Sequence, residues 1–89
     1  MPFLNFNTKK RIQIWDGVSG AFLHSDKLMF GYITVIKDAI VPEHQHHHEQ
    51  WTHLKEGELE FTINGEIQIL LPGMAAHIPS NIPHSAKAL

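Results

Sequence analysis

The sequence contains no cysteine, so it can form neither a disulfide bond nor a metal site built on thiolates. No apolar run approaches the ~18 residues that a membrane-spanning helix needs, and the N-terminus lacks the three regions of a signal peptide. Lys9-Lys10-Arg11 is the only basic run and the formal net charge is −2. These features argue against a surface that binds the phosphate backbone of a nucleic acid. We therefore expect a soluble, cytoplasmic protein that binds neither nucleic acid nor a membrane.

The length of 89 residues predicts a single domain that spans residues 1–89. Hydrophobic residues make up 43% of the sequence, which is enough to build a core. A domain this small has a high surface-to-volume ratio, so it often gains stability from a bound metal or a partner subunit.

Short apolar runs separated by turn residues predict an all-β protein with little or no helix. The runs are rich in Ile, Val, Phe, Thr and Leu, and each break contains Gly, Pro, Asn or Asp. Short strands at this spacing indicate a sandwich or a barrel. The candidate strands are Arg11–Trp15, Val18–His24, Leu28–Ile36, His44–His46, Trp51–Lys55, Glu58–Ile63, Glu66–Leu71, Met74–Ile78 and His84–Ala88.

The clearest element is a hairpin around Asn64-Gly65, in which apolar and polar residues alternate on both strands. A three-residue loop, Ile63-Asn64-Gly65, would place Phe61 opposite Ile67 and Leu59 opposite Ile69. Because the register follows the buried face, we expect this bulged turn, with Gly65 at positive φ.

Histidine is strongly enriched, with eight residues of this type, four of them between positions 44 and 48. Side chains alternate across a strand, so His44 and His46 are expected to project to the same face and could share one metal ion. His24, His53 and His77 are isolated, and we expect them to be ordinary surface or core residues.

Two further ligands would have to come from elsewhere in the chain. Gln50 lies just past the cluster, where a short bend could bring its amide oxygen to the same ion, and His48 is its main rival. His84 follows the turn 79–83, in which two prolines help to set the direction of the next side chain. The alternative is that these histidines have no ligand role.

These residues resemble the first motif of the cupin superfamily, which reads His-x-His, three or four residues, Glu, six residues, Gly. Here His44-x-His46 is followed by three residues, Gln50, six residues and Gly57. Gln50 stands in the position of the motif's Glu, as in the three-His, one-Gln variant of the family.

The second cupin motif reads Gly, five residues, Pro-x-Gly, two residues, His, three residues, Asn. Here Gly73 is followed by Pro79-x-Asn81, His84 and Ala88 at the same spacings. Asn81 replaces Gly, and Asn tolerates the left-handed conformation that Gly would supply. The sequence is therefore identified as a member of the small single-domain cupin 2 barrels.

The resemblance implies a cupin-type double-stranded β-helix, which is a jelly-roll-like barrel. It also implies one divalent transition metal ion (Fe, Mn, Ni, Zn, Co or Cu) held by His44, His46, Gln50 and His84. Similar cupins continue for one or two more strands, so we expect the domain to lack those strands or to receive an edge from a partner. We expect a homodimer that exchanges an N-terminal strand, Phe3–Phe6, which light scattering can test.

The resemblance implies a small metalloenzyme that acts on a small anionic sugar acid or keto acid. One branch of small cupins with the same metal motif ketonises unsaturated uronates from pectin or alginate breakdown, which would make this chain an isomerase or tautomerase. The alternatives are a dioxygenase, a non-catalytic small-molecule sensor, and a structural barrel with an incidental metal. No catalytic residue beyond the metal ligands is predicted.

Overall fold

Nine β-strands make up the fold, in a computed structural model that describes residues 3–89. The prediction of an all-β protein is confirmed, because residues 3–89 contain no helix. Accordingly, the described residues provide no helix long and apolar enough to cross a membrane. The strands are β1 Ile12–Trp15, β2 Val18–His24, β3 Met29–Val35, β4 Ile40–His44, β5 Gln50–His53, β6 Leu59–Ile63, β7 Glu66–Leu70, β8 Ala75–Ile78 and β9 His84–Ala88.

The strands form three antiparallel sheets in which non-consecutive strands are neighbours. One sheet has the order β1-β2-β3, the largest has the order β4-β9-β6-β7, and β5 pairs with β8. Strand β9 therefore lies between β4 and β6 in the largest sheet. The start of β9 and the end of β4 meet there, at the pair His44↔His84.

The core lies on one face of β6 and β9, covered by β8. Alternation along β6 buries Leu59 and Phe61, whereas Glu60 and Thr62 are only half-buried. The buried cluster consists of Leu59, Phe61, Leu70, Ile78, Ala86 and Ala88. Among the described residues, His84 is the one buried polar side chain, with 3% of its surface exposed.

The predicted register of the β6–β7 hairpin is wrong. Ile63 pairs with Glu66 and Phe61 with Gln68, so the turn contains two residues, not three. Asn64 and Gly65 both have positive φ, at 50° and 83°, as a tight hairpin turn with matching twist requires. The positive φ expected at Gly65 is confirmed.

The predicted register is wrong because β6 also pairs with a second strand, β9. Phe61 also pairs with Ala86 of β9, so β6 fills its apolar face without an isoleucine opposite it on β7. The two isoleucines of β7 face outward instead, with Ile67 63% and Ile69 39% exposed.

The fourth strand begins earlier than predicted, at Ile40, and ends at His44. It contains Pro42, which lies before the predicted strand His44–His46. The β4–β9 register shifts between Val41 and His44, and proline is tolerated at such irregularities because a ladder hydrogen bond is absent there. His44 and His46 therefore do not share a regular strand.

The expected N-terminal strand Phe3–Phe6 is also wrong, because residues 3–6 form no strand. Phe6 is half-buried, and its ring centroid lies 5.6 Å from that of Phe30 and 5.7 Å from that of Tyr32, both on β3. The apolar side chain of Phe6 is thus covered by its own chain.

Candidate metal centre

His84 is placed by the turn that precedes it and by two neighbouring strands. It begins β9, where it pairs with His44 of β4 on one side and Ile63 of β6 on the other. Its ring stacks on that of Phe61, at a centroid distance of 6.4 Å and an interplanar angle of 18°. The imidazole is therefore held at the end of the apolar core.

Three imidazole rings meet at this point. The ring centroids of His44 and His84 are 4.2 Å apart, those of His46 and His84 are 4.9 Å apart, and those of His44 and His46 are 5.6 Å apart. Each ring offers one nitrogen, and the three atoms lie within 4.8 Å of one another. These residues could therefore hold a metal ion.

The loop that carries His46 is tied to the turn before His84. The backbone N–H of Asn81 donates to the carbonyl of His46 at 2.8 Å, and the Ser80 hydroxyl donates to the carbonyl of His47. Asn81 has a φ of 62°, so the left-handed conformation expected of it is confirmed. These bonds join residues that lie more than thirty positions apart in the sequence, one in each motif.

The three rings share one hydrogen-bonding arrangement, in which each Nδ1 lies next to a backbone carbonyl. His44 Nδ1 is 2.7 Å from Pro42 O, His46 Nδ1 is 2.7 Å from His48 O, and His84 Nδ1 is 2.9 Å from Ile82 O. A carbonyl can only accept, so Nδ1 carries the proton and Nε2 of a neutral ring keeps its lone pair. This is the tautomer in which Nε2 can bind a metal.

The Nε2 atom of His84 is buried and has no hydrogen-bond partner among the described residues. Burial lowers the pKa of His84 from its ordinary value of 6.5, the carbonyl of Ile82 opposes this shift, and the charges of His44 and His46 add to it. The ring therefore favours the neutral form, with a lone pair that lacks a donor. An unpaired buried acceptor is costly, and a metal ion would satisfy it.

Gln50 presents its amide oxygen to the same group of atoms. Its Oε1 lies 2.9 Å from Nε2 of His46, and its Nε2 donates to the Thr52 hydroxyl oxygen at 2.8 Å. In the tautomer described above, Oε1 and the imidazole Nε2 are both acceptors, so neither donates to the other. A cation held by both atoms would resolve the conflict.

The four donors fit a divalent transition metal. Imidazole suits Zn, Cu, Fe and Ni, and an amide oxygen adds a harder ligand. The donor types suit each of these metals equally, and the assignment of the four ligands stays a prediction.

The other candidate residues lie elsewhere. The His48 ring is exposed, 6.2 Å from the His47 ring, and only the His48 backbone takes part in the site. His77 lies 3.0 Å from a carboxylate oxygen of Glu49, and its ring centroid lies 4.7 Å from that of Trp51. Glu49 therefore faces away from the three imidazoles.

Several contributors to the site were not predicted from the sequence. They are the carbonyls of Pro42, His48 and Ile82, the hydroxyl of Thr52, and the ring of Trp15, whose centroid lies 5.3 Å from that of His44. Strand alternation could have revealed Thr52, because it lies two residues after Gln50 and shares its face. The carbonyl contacts leave no signal in residue type.

The comparisons with known proteins agree on one family. A model of the cupin domain matches residues 31–89, whereas a search of curated protein sequences found no match. An RmlC-like cupin from Shewanella frigidimarina NCIMB 400 is 26% identical, with a TM-score of 0.93 over 99% of this chain and 80% of that chain. KdgF from Halomonas sp. is 25% identical, with a TM-score of 0.91 over 100% of this chain and 83% of that chain.

A third structure extends the likeness in fold alone. The cupin domain of Schizosaccharomyces pombe Cnp3 is 15% identical, with a TM-score of 0.84 over 99% of this chain and 64% of that chain. The predicted cupin-type β-barrel is therefore confirmed. The family match covers more than half of the sequence and includes both histidine motifs, and the chain belongs to the cupin domain family.

Proposed function

We propose that the protein binds one divalent transition metal ion through His44, His46, Gln50 and His84 and acts on a small anionic sugar acid or keto acid. The observation that carries this proposal is the charge of the donor set. Three neutral imidazoles and one amide bring no negative charge, so they would leave the positive charge of the ion intact. A site of this kind favours an anionic ligand.

The chain's own residues have defined roles in this proposal. Three carbonyls hold the imidazoles in the ligand tautomer, and Gln50 adds a neutral oxygen. Phe61 and Trp15 place aromatic rings next to His84 and His44. The bound ion would supply Lewis-acid stabilisation of a carboxylate or enolate oxygen.

The reaction class that consumes no oxidant, reductant or second substrate is tautomerisation. A proton leaves the enol oxygen, another is added to the neighbouring carbon, and the product is a ketone, so no oxidant or reductant is consumed. Two findings support this class: the His-x-His, Gln, His pattern resembles the uronate-ketonising branch of small cupins, and KdgF of Halomonas is similar over the whole chain.

One observation favours a non-catalytic binding module as the alternative. Among residues 3–89, no carboxylate, lysine or arginine is hydrogen-bonded to any of the four proposed ligands. A general acid or base at the metal is thus not assigned. Such a module would bind an anion at the ion without transferring a proton.

Proton NMR in D₂O separates the two functions. The metal-loaded protein is mixed with an unsaturated uronate, and deuterium is followed at the carbon next to the new carbonyl. We expect faster incorporation than in buffer alone, and loss of this acceleration in His46→Ala. Incorporation at the buffer rate by metal-loaded protein would contradict the enzyme, and perturbed uronate signals without exchange would favour the binding module.

A further inference from the structure

We propose that Thr52 is the positioning residue that turns the oxygen end of the Gln50 amide toward the metal, an inference that rests on the proposed metal site. The Thr52 hydroxyl oxygen accepts the amide N–H of Gln50 at 2.8 Å, and the amide oxygen lies 2.9 Å from His46 Nε2. The NH₂ end of the amide therefore bonds to Thr52, and its oxygen end faces the site.

Strand geometry places the two side chains together. Gln50 and Thr52 are two residues apart on β5 and point to the same face, whereas Trp51 points to the opposite face and is 69% exposed. The backbone of β5 is held by antiparallel pairing with β8, at Gln50↔Ile78 and Thr52↔Ala76. The strand pairing therefore fixes the hydroxyl beside the amide.

A glutamine ligand requires such a partner for a reason that does not apply to glutamate. Both ends of a carboxylate are oxygen, so either rotation about the last side-chain bond offers a ligand atom. An amide has one oxygen and one NH₂ group, and the NH₂ end carries two donors and cannot bind a cation. When the oxygen of Gln50 faces the metal, its half-buried NH₂ group needs an acceptor, and Thr52 is the acceptor present.

The orientation of the Gln50 amide supports a role toward a cation. In the neutral tautomer, His46 Nε2 would accept a hydrogen bond from the NH₂ end if the amide of Gln50 were rotated by half a turn. The structure has the oxygen end there instead, which opposes two acceptors at 2.9 Å. An orientation that is unfavourable without a cation and favourable with one is the orientation a metal ligand requires.

The test is a Co²⁺ titration of the full chain, followed by visible absorption and by competition with a chelator. Thr52→Val keeps the shape and removes the acceptor, whereas Thr52→Ser keeps the acceptor. We expect Thr52→Val to weaken Co²⁺ binding by about tenfold or more and to alter the spectrum. Thr52→Ser is expected to bind within about twofold of the wild type, since its hydroxyl still accepts.

A second background isolates the amide. In Gln50→Glu the ligand has two equivalent oxygens, so the added Thr52→Val is expected to cost less affinity there than in the wild type. Equal losses in both backgrounds, equal losses in Thr52→Val and Thr52→Ser, or no loss in Thr52→Val would each overturn the inference. A wild-type chain that does not bind Co²⁺ would instead overturn the proposed metal site.

Discussion

At the residue scale, main-chain carbonyl groups orient the three imidazoles of the candidate site. A carboxylate in the same role would add negative charge next to the metal, whereas a carbonyl adds none. The carbonyls of Pro42 and Ile82 each lie two residues before the histidine they contact, and that of His48 lies two residues after His46. The orientation of each ring is therefore set by local backbone conformation.

Two adjacent histidines give the sharpest test of the ligand assignment. His46→Ala removes a half-buried imidazole that faces the site and is expected to abolish metal binding. His47→Ala removes an exposed imidazole from the neighbouring position and is expected to leave binding nearly intact. Metal analysis of both purified variants measures the difference, and equal metal content in both would show the assignment to be wrong.

The lowered pKa of His84 predicts how stability depends on pH without metal. Burial lowers this pKa below 6.5 in the folded chain, so on acidification the unfolded chain takes up the proton first. The contribution of neutral His84 to the free energy of unfolding is thus fully present above about pH 6.5. It declines as the pH falls from there toward the folded-state pKa. Urea unfolding with a chelator, from about pH 8 to about pH 5, should show this decline.

His84→Gln is the control for this prediction, because glutamine does not titrate in that range. The slope of unfolding free energy against pH should be smaller in the variant, whatever its absolute stability. A slope as steep as that of the wild type would mean that other groups cause the acid sensitivity.

At the element scale, the tight turn of the β6–β7 hairpin is hydrogen-bonded to the residue that precedes His84. Asn64 donates its backbone N–H to the carbonyl of Pro83 at 2.9 Å, and Pro83 directly precedes His84. The hairpin therefore holds the start of β9 as well as its own two strands. The two positive φ angles that make the turn possible are those of Asn64 and Gly65.

Gly65→Ala tests the conformational requirement alone. Gly65 has a φ of 83°, and a Cβ at this position would meet no atom within 4 Å, so steric contact adds no penalty. We expect a loss of about 1–2 kcal/mol of unfolding free energy, because a left-handed conformation costs that much for an L-residue. Urea denaturation measures the loss, with Asn64→Gly as a control expected to change stability little.

The elements also show how far the sequence can predict this fold. Period-two alternation marks β6, whose Leu59 and Phe61 are buried, and the hairpin at Asn64-Gly65 was visible from this alternation. Its register was not, because β9 fills the face of Phe61 and removes the need for an apolar partner on β7. Neighbours distant in sequence decided the pairing.

The same limit applies to the site. The resemblance to the two cupin motifs implied that His44, His46 and His84 would meet, and they do. The turn 79–83 holds them together by hydrogen bonds to the loop that carries His46. The orientation of the Gln50 amide depends on a side-chain torsion and on Thr52. Torsions of this kind leave no periodic signal in a sequence.

At the scale of the whole molecule, the residues of the candidate site come from two different sheets and from the loop between them. His44 and His84 lie on β4 and β9 of the largest sheet, Gln50 lies on β5 of the two-stranded sheet, and His46 lies on the loop between β4 and β5. A metal ion bound to all four would connect those two sheets. Because the unfolded chain does not hold the four ligands together, binding would stabilise the native state.

Metal loading is therefore expected to raise the melting temperature. At a free metal concentration of about 100 times Kd, the native state gains about 2.7 kcal/mol, which corresponds to a rise on the order of ten degrees for a domain of this size. Thermal unfolding with and without a chelator measures the shift, and His46→Ala should show almost none. Equal melting temperatures in the wild type with and without saturating metal would mean that the native state does not bind the ion in preference to the unfolded chain.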